Sequence, residues 1–388
     1  MPAQSHTTYI HPGPERVVSG AGTSTALHGL LGRYGYRRAL VVASRSLNRK
    51  SDAVAKIVDG LRDTFGGLTD DVHEHAPVDD VLRVAALARE IGADVLVAVG
   101  GGSVIDLCKM VQLCISEDVT AATGLEPLRA SVLDGELIPA RQRAPAIRQF
   151  CVPTTLSTAE VTPGTSPIDT ATRTKTLYFV RSGAPQVLVY DPDILAHTPR
   201  ALLLSTALRG LDHAVNTLCA VRPEPLASLL AEQAIRLFVE NLPRLETGND
   251  ARAACQRASY YTGLGQLSAP HGFSHYMVHV LAPIAGVPHS ALACVLMLAQ
   301  ARWLEGAADA EYHRLLRLLG REGDKFHEVV LELLELLGMP TSLTDLGITD
   351  AHLDEAVPLG MRHKMVVENN LRPIDSEQEL RRILWLAR

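Results

Sequence analysis

The sequence is poor in aromatic residues and contains no long basic or apolar run. Phe, Trp and Tyr together make up 4% of the 388 residues, so few side chains are available to stack on nucleic-acid bases. The formal net charge is −6, without a dense Lys/Arg block, which disfavours nucleic acids and anionic membranes as partners. No uncharged apolar run reaches the roughly 18–20 residues of a membrane-spanning helix. These absences favour a globular protein that acts on small molecules.

Cysteine usage and the start of the chain both point to a reducing compartment. The six cysteines are scattered and form no CxxC motif, which argues against a disulfide framework and against a zinc ribbon. The first residues, MPAQSHTTYIHPGPERVV, lack the apolar core of a signal peptide. We therefore expect a cytoplasmic protein.

The first half of the sequence alternates strand and helix patterns. Arg38–Ala43 and Asp94–Val99 are short apolar runs typical of buried strands, and helical segments of 10–15 residues separate such runs. One of these helices is predicted over Asp52–Phe65, ending at Gly66 and Gly67. Strands connected in this way predict a parallel sheet with helices on both faces.

The second half has a different periodicity. After Asp191 and Pro192, apolar residues recur at helical spacing and strand patterns nearly vanish. The polar segment 117–148 is predicted to be an irregular loop. We expect an α/β domain over residues 1–195 and an all-α domain over residues 196–388.

A glycine-rich turn follows the second buried strand, in the sequence VLVAVGGGSVID. Gly100, Gly101 and Gly102 lack side chains, so a phosphate group could approach their backbone N–H groups and the positive end of the following helix. Ser103 is predicted to cap this helix, with Asp106 at the capping-box position. The pattern is neither GxGxxG nor a Walker motif, and taken alone it is equally compatible with a structural turn.

A hydroxyl-rich run, PTTLSTAEVT, follows another apolar stretch. Its Thr154, Thr155 and Ser157 could bind phosphate, ribose or adenine. The alternative is a polar loop in which these hydroxyls cap the local backbone.

Histidines are concentrated in one segment of the second half. His271, His275 and His279 recur at intervals of four, which places them along one stripe of a helix. His289 follows in a loop, and His213 belongs to a different predicted helix. This pattern is typical of a divalent-metal site or of a proton-handling active site. The alternative is that each histidine is hydrogen-bonded separately in the core.

Seven motifs taken together resemble one family. They are GGGSVID (100–106), PTTLSTAEVTP (153–163), IDTATRTK (168–175), VYDPDIL (189–195), LDHAVN (211–216), HGFSHYMVHVLAPIAGVPHSA (271–291) and ENNLRPID (368–375). In this order they resemble the iron-containing (group III) alcohol dehydrogenases, which share a fold with glycerol dehydrogenase and dehydroquinate synthase. The resemblance implies a dinucleotide-binding α/β domain, a helical domain and an active site in the cleft between them. The compact PTTLSTAE is most similar to the form found in maleylacetate reductases.

The resemblance also implies roles for particular residues. The pyrophosphate would lie against the glycine turn, and further cofactor contacts would come from Gly100, Gly101, Gly102, Ser103, Thr154, Thr155, Ser157 and Lys175. His213, His275 and His289 fall on three metal-ligand positions of the family. His279 falls on the position near the nicotinamide.

Two positions depart from the family pattern. The fourth metal ligand is an Asp four residues before the first His, and here that position is Arg209. A guanidinium cannot ligate a metal and repels cations, so bound Fe or Zn is doubtful. After the strand RALVVA, NAD-preferring members carry an Asp, whereas this chain has Ser44 and Arg45, with Arg49 and Lys50 nearby. Loss of the carboxylate and gain of positive charge favours NADPH over NADH.

These observations predict an NAD(P)H-dependent reductase of a small aldehyde or keto acid, acting without a metal. Arg209 or a protonated His would stabilise the developing alkoxide, and a His with a pKa near 7 would supply the proton. Arg209 could equally bind a substrate carboxylate. The alternatives are a metal-dependent (Fe or Zn) alcohol dehydrogenase, a dehydroquinate synthase-like lyase or cyclase, and a non-catalytic binding module. Family analogy suggests a homodimer.

Overall fold

A computed structural model describes residues 13–133, 136–170, 172–180, 183–221, 224–269 and 271–388. The chain divides into two compact units, of which the first ends at Leu203 and the second begins at Leu204. This division falls inside the helix Arg200–Leu218, whereas the sequence places the change of periodicity at Asp191 and Pro192.

The first unit is built on a six-stranded sheet. Its strands are β1 (Arg16–Ser19), β2 (Ala39–Ala43), β3 (Phe65–Thr69), β4 (Val95–Gly100), β5 (Arg148–Pro153) and β6 (Val187–Tyr190). The spatial order is β1-β6-β5-β4-β2-β3, and every neighbouring pair is parallel. All residues of β2 and β4 are buried, as expected for central strands covered on both faces. The predicted parallel sheet is confirmed.

Helices connect these strands, and one segment predicted to be helical is a strand instead. The helices are α1 (Leu27–Arg33), α2 (Arg45–Lys50), α3 (Ala53–Leu61), α4 (Val78–Glu90), α5 (Gly102–Ser116) and α6 (Pro192–Leu195). The helix predicted to run to Phe65 ends at Leu61, and Gly66 and Gly67 lie in the edge strand β3. A Cβ on Gly66 would lie 2.5 Å from Cγ of Arg38, so this glycine permits close packing rather than ending a helix.

Short hairpins extend from the first unit. The segment expected to be an irregular loop contains a 3₁₀ helix, Ala122–Leu128, and an antiparallel pair of strands, Ser131–Leu133 and Glu136–Ile138. Another antiparallel pair, Ile168–Asp169 and Thr174–Lys175, carries Lys175. A third joins residues 164–165 to residues 178–179.

The second unit is helical throughout its described residues. Its helices are α7 (Arg200–Leu218, beginning in the first unit), α8 (Pro225–Asn241), α9 (Asn249–Gly265), α10 (Phe273–Ala285), α11 (His289–Trp303), α12 (Asp309–Leu319), α13 (Phe326–Leu337), α14 (Asp350–Arg362), α15 (Lys364–Glu368) and α16 (Glu377–Trp385). Helix α11 is buried along most of its length and forms the centre of this unit. Among the described helices, none combines the length and apolarity that crossing a bilayer requires.

Candidate active site

The glycine turn lies where β4 passes into α5, at the carboxyl edge of the sheet. A Cβ on Gly100 would lie 2.5 Å from Cγ2 of Val104, and a Cβ on Gly101 would lie 2.9 Å from Cγ2 of Thr155. Residues with side chains therefore do not fit here without rearrangement. The turn exposes bare backbone at the start of a helix, which is the arrangement that binds phosphate in dinucleotide sites.

Ser103 does not cap α5, so the predicted capping box is wrong. The helix begins at Gly102, Gly101 is its N-cap, and no side chain caps it. The hydroxyl of Ser103 instead accepts a hydrogen bond of 3.1 Å from the backbone N–H of His75. Asp106 forms an ion pair of 2.8 Å with the buried Lys109.

The hydroxyl-rich run begins where β5 ends, beside the glycine turn. The N–H of Thr154 donates to the carbonyl of Gly100 at 3.0 Å, and the Thr155 hydroxyl lies 3.4 Å from that of Ser157. Adjacent parallel strands end at one edge of a sheet, so β4 and β5 bring Gly101, Thr154 and Thr155 together. These three residues line one open pocket of about 170 Å³.

Lys175 is connected to the glycine turn through His75. Its Nζ lies 3.3 Å from Nδ1 of His75, whose N–H bonds Ser103. The side chain of Lys175 is exposed on its hairpin. The structure thus places Lys175 on the same side of the first unit as the glycine turn.

Both arginines that follow β2 are paired with carboxylates of the first unit. Arg45 donates to the carboxylate of Asp71, and Nε of Arg49 lies 3.2 Å from the carboxylate of Asp70. Ser44, in contrast, lines the pocket described above. The charge of Arg45 is therefore compensated by Asp71, a pairing that the sequence pattern did not indicate.

In the second unit, three of the predicted histidines form a compact cluster. The ring centroids of His213 and His271 are 4.7 Å apart, those of His213 and His275 are 5.0 Å apart, and those of His271 and His275 are 4.4 Å apart. One nitrogen from each of the three rings lies within 4.8 Å of the others. The third member of this cluster is His271, whereas the sequence comparison placed His289 with His213 and His275.

The remaining two histidines extend the cluster into a row of imidazoles. The His275 and His279 rings are 5.3 Å apart, one turn apart on α10. The His279 and His289 rings are 5.1 Å apart, and His289 is the first residue of α11. All five histidines that the sequence singled out thus lie in one row.

The three clustered imidazoles are neutral at neutral pH. Burial and the charges of His271 and Arg209 hold the pKa of His213 well below its usual range, and the pKa of His275 is lowered for the same reasons. Burial, followed by the charge of Arg209, lowers the pKa of His271 to about 4. These pKa shifts disfavour a protonated imidazole among these three as the group that stabilises the alkoxide.

Asp212 is a buried carboxyl group beside the cluster, and it accepts two side-chain hydrogen bonds. The Ser274 hydroxyl donates to it at 2.5 Å, and Nδ2 of Asn216 donates to it at 3.1 Å. Burial is the largest effect on this group and raises its pKa to about 6. Asp212 thus links α7 to α10, and the group of ligand atoms that lie close together among the described residues consists of the three histidines without it.

The start of α10 is held by three amide side chains from other elements. Each side-chain oxygen accepts one of the first backbone N–H groups, which no turn of helix can satisfy. The pairs are Gly272 N–H to Asn216 Oδ1 at 3.0 Å, Phe273 N–H to Asn370 Oδ1 at 2.8 Å and Ser274 N–H to Gln300 Oε1 at 3.0 Å. Sequence patterns did not identify Asn216 or Gln300 as determinants of the site. Asn216 ends the motif LDHAVN, and the indication for Gln300 is that it is an amide within an apolar helical stretch.

The imidazole nitrogens of the cluster are suitable ligands for a divalent metal, but the positive charge beside them is not. Both ring nitrogens of His213 are buried and have no hydrogen-bond partner among the described residues, as unoccupied ligands would. However, Arg209 occupies the position of the family's carboxylate ligand, and its charge reaches all three imidazoles. Iron or zinc would lie beside a cation without a compensating carboxylate. The residues present do not fit a metal.

Comparison with known proteins identifies the family. Residues 14–192 match Iron-containing alcohol dehydrogenase, and residues 203–384 match the C-terminal part of the Fe-containing alcohol dehydrogenase family. The chain belongs to the iron-containing alcohol dehydrogenase family. Maleylacetate reductase 2 of Cupriavidus pinatubonensis is 32% identical over 320 residues, 81% of this chain and 78% of that protein. Lactaldehyde reductase of Escherichia coli K12 is 27% identical over 347 residues, 85% and 87% of the two chains.

A solved structure supports the same fold. Maleylacetate reductase from Rhizobium sp. strain MTP-10005 aligns with a TM-score of 0.80 over 99% of this chain and 98% of that chain, at 24% identity. The predicted family, its maleylacetate reductase-like branch and the α/β-plus-helical fold are confirmed.

Proposed function

We propose that this family member is an NAD(P)H-dependent reductase that transfers hydride to the carbonyl carbon of a small aldehyde or keto acid. The observation that carries the proposal is the bare glycine turn, where Gly101 packs against Thr155 beside an open pocket at the carboxyl edge of the sheet. The naming of its relatives as reductases of maleylacetate and of lactaldehyde supports the same reaction. None of the relatives reported above is a lyase, so nothing favours the cyclase alternative.

The first unit contributes the binding of the dinucleotide. The N–H groups at the start of α5 receive the pyrophosphate, and the hydroxyls of Thr154, Thr155 and Ser157 bind the adjoining nucleotide. Lys175 offers a cation on the same side of the unit. When bound, the reduced nicotinamide supplies the hydride.

The second unit contributes charge for the reaction. As the carbonyl carbon gains hydride, its oxygen acquires negative charge and must be stabilised and protonated. Burial lowers the pKa of Arg209. Because the pKa of a guanidinium starts far above neutral pH, Arg209 nevertheless keeps its charge. The neutral imidazoles of His213, His271 and His275 serve as N–H donors. The balanced reaction is carbonyl plus NAD(P)H plus one proton, giving alcohol plus NAD(P)⁺.

Arg209 can meet either the developing alkoxide or a substrate carboxylate. It forms no ion pair among the described residues, and its charge interacts with Asp212, which is already hydrogen-bonded to Ser274 and Asn216. A partly buried guanidinium without an ion-pair partner favours binding of an anion. A carboxylate can accept two parallel hydrogen bonds from it in a bidentate pair. This supports keto acids as substrates ahead of simple aldehydes.

The test is oxidation of NADPH and NADH against paired substrates that differ only in a carboxylate, with and without EDTA. We expect turnover that survives EDTA and is faster for the acid of each pair. Arg209→Gln should lower kcat/KM for the acids by about 100-fold, which corresponds to one lost buried charge pair. Equal losses for the acid and the aldehyde would assign Arg209 to the alkoxide. Complete loss on chelation, restored by Fe²⁺ or Zn²⁺, would instead establish the metal-dependent dehydrogenase.

Three finer assignments belong to the same proposal. NADPH is the favoured cofactor, because Ser44 stands where NAD-preferring members carry a carboxylate. The cytoplasm is the favoured location, since all six cysteines are buried free thiols. A homodimer is expected from the family, and light scattering on the purified protein measures it directly.

A further inference from the structure

The pocket beside the glycine turn extends well beyond the pyrophosphate position. Besides Gly101, Thr154 and Thr155, it is lined by Ser44 and Lys50 from the segment after β2. Further lining comes from Ser46, Ser51, His197 and Thr198. Because β2 is the neighbour of β4 in the sheet, its carboxyl end is where the ribose of a dinucleotide lies in doubly wound folds.

Three cations follow β2 within α2, and only one of them lines this pocket. Arg45 is paired with Asp71, and Arg49 is paired with Asp70 at 3.2 Å. Lys50 lines the pocket and forms no ion pair within the described part of the chain. Its charge is therefore available to a ligand, whereas the two arginine charges are compensated within the protein.

The pocket wall also lacks the group that recognises a free ribose diol. None of the described residues that line it is acidic. The nearest sequence candidate, Asp52, is fully exposed and holds Lys56 at 2.8 Å. The wall offers instead the hydroxyls of Ser44 and Ser46, which can donate to phosphate oxygens. The hydroxyl of Ser51 already donates to the carbonyl of Leu47 at 2.7 Å.

We propose that Lys50 binds the 2′-phosphate of NADPH, with the neighbouring serine hydroxyls, and so determines the preference for NADPH over NADH. This inference rests on the proposed function, because it assigns a specificity residue to the same nucleotide site. The sequence placed Ser44 and Arg45 at the cofactor, with Arg49 and Lys50 nearby. The pairing of both arginines with aspartates singles out Lys50 among these cations.

The experiment compares Lys50→Ala with Arg49→Ala by fluorescence titration of NADPH and NADH. Loss of a charge-assisted contact to phosphate should weaken NADPH binding by Lys50→Ala about tenfold. NADH binding should change less than twofold, because NADH carries no 2′-phosphate. Arg49→Ala removes the adjacent cation, which is paired with Asp70, and should leave both affinities unchanged. Lys50→Arg keeps the charge and should retain the preference.

Competition by small nucleotides isolates the phosphate itself. Adenosine 2′,5′-bisphosphate should displace NADPH from the wild type better than 5′-AMP does, and Lys50→Ala should remove that difference. Equal loss of both cofactors in Lys50→Ala, or an unchanged NADPH affinity, would overturn the assignment of Lys50. A wild-type protein that binds neither cofactor would overturn the proposed function as well, so the two failures are distinguishable.

Discussion

Arg209 precedes His213 by one turn of α7, and its positive charge helps to hold the pKa of that buried imidazole well below the usual range. The same charge lowers the pKa of His271 and His275. A site that gathers imidazoles for a metal normally adds a carboxylate, which attracts the cation. Here a fixed cation takes that place, so the cluster is neutral at its rings and positive at its edge, a combination that suits an anionic ligand.

Replacing Arg209 by Asp should increase metal binding. The substitution removes the repelling charge and adds an oxygen donor one turn before His213, which completes a set of three imidazoles and a carboxylate. Metal per protein after incubation with Fe²⁺ or Zn²⁺, followed by dialysis, should rise from near zero toward one by elemental analysis. Arg209→Ala, which only removes the charge, should give an intermediate value. A flat metal content across all three proteins contradicts our account of the missing ligand.

Replacing Gly101 by Ala should weaken dinucleotide binding. The added Cβ would lie 2.9 Å from Cγ2 of Thr155, so either the turn or the threonine must move. We expect at least a tenfold loss of affinity for NADPH by fluorescence titration, with thermal stability reduced by no more than a few degrees. Gly29→Ala is the matched control, because nothing lies within 4 Å of its Cβ position. Unchanged NADPH affinity in Gly101→Ala would contradict the assignment of pyrophosphate binding to this turn.

Replacing Gly272 by Ala should displace the helix that carries His275 and His279. Its Cβ would lie 2.3 Å from the backbone oxygen of Asn369, a contact that only backbone movement can relieve. We expect a loss of about 2–4 kcal/mol in the free energy of unfolding, measured in urea, together with loss of turnover. Gly323→Ala has open space at its Cβ position and should change neither quantity. Wild-type stability in Gly272→Ala would show that this contact is not tight.

The folded protein should lose stability as the pH falls from about 6.5 to 4. The pKa of His271 is about 4 in the folded state and about 6.5 when unfolded, so acid protonates the unfolded chain first. Its stabilising contribution is complete above the unfolded pKa and is lost as the pH falls, by at most about 3 kcal/mol. Asp212, whose pKa is raised to about 6, opposes this effect, whereas His213 and His275 reinforce it.

Urea unfolding of His271→Asn at pH 7 and pH 5 tests this dependence. Its free energy of unfolding should fall less between the two values than that of the wild type. His313 lies on an exposed face of α12, so His313→Asn should follow the wild type. If the free energy of unfolding falls equally for His271→Asn and the wild type between pH 7 and pH 5, the pKa of His271 is not lowered in the folded protein.

The sequence predicted most of what depends on local pattern. Alternating apolar strands and helices predicted the parallel sheet, and the apolar run before three glycines predicted a strand that turns into a helix there. Where a prediction was wrong, a contact between distant residues had replaced the local one. Ser103 receives an N–H from His75 instead of capping its own helix, and Gly66 packs against Arg38 within a strand instead of ending a helix. The partner of a side chain is not encoded in its neighbours along the chain.

The candidate site shows the same division. Spacing placed His271, His275 and His279 on one helical face, because side chains four residues apart on a helix share a face. This is right for His275 and His279 and wrong for His271, which precedes α10 and its N-cap Gly272. Spacing could not choose His271 rather than His289 as the third member of the cluster, nor separate Lys50 from the two arginines paired with aspartates. Those outcomes depend on which helices and loops pack together. Residue order therefore determined the fold, the family and the types of side chain available, and tertiary packing decided which charges are compensated and which face a ligand.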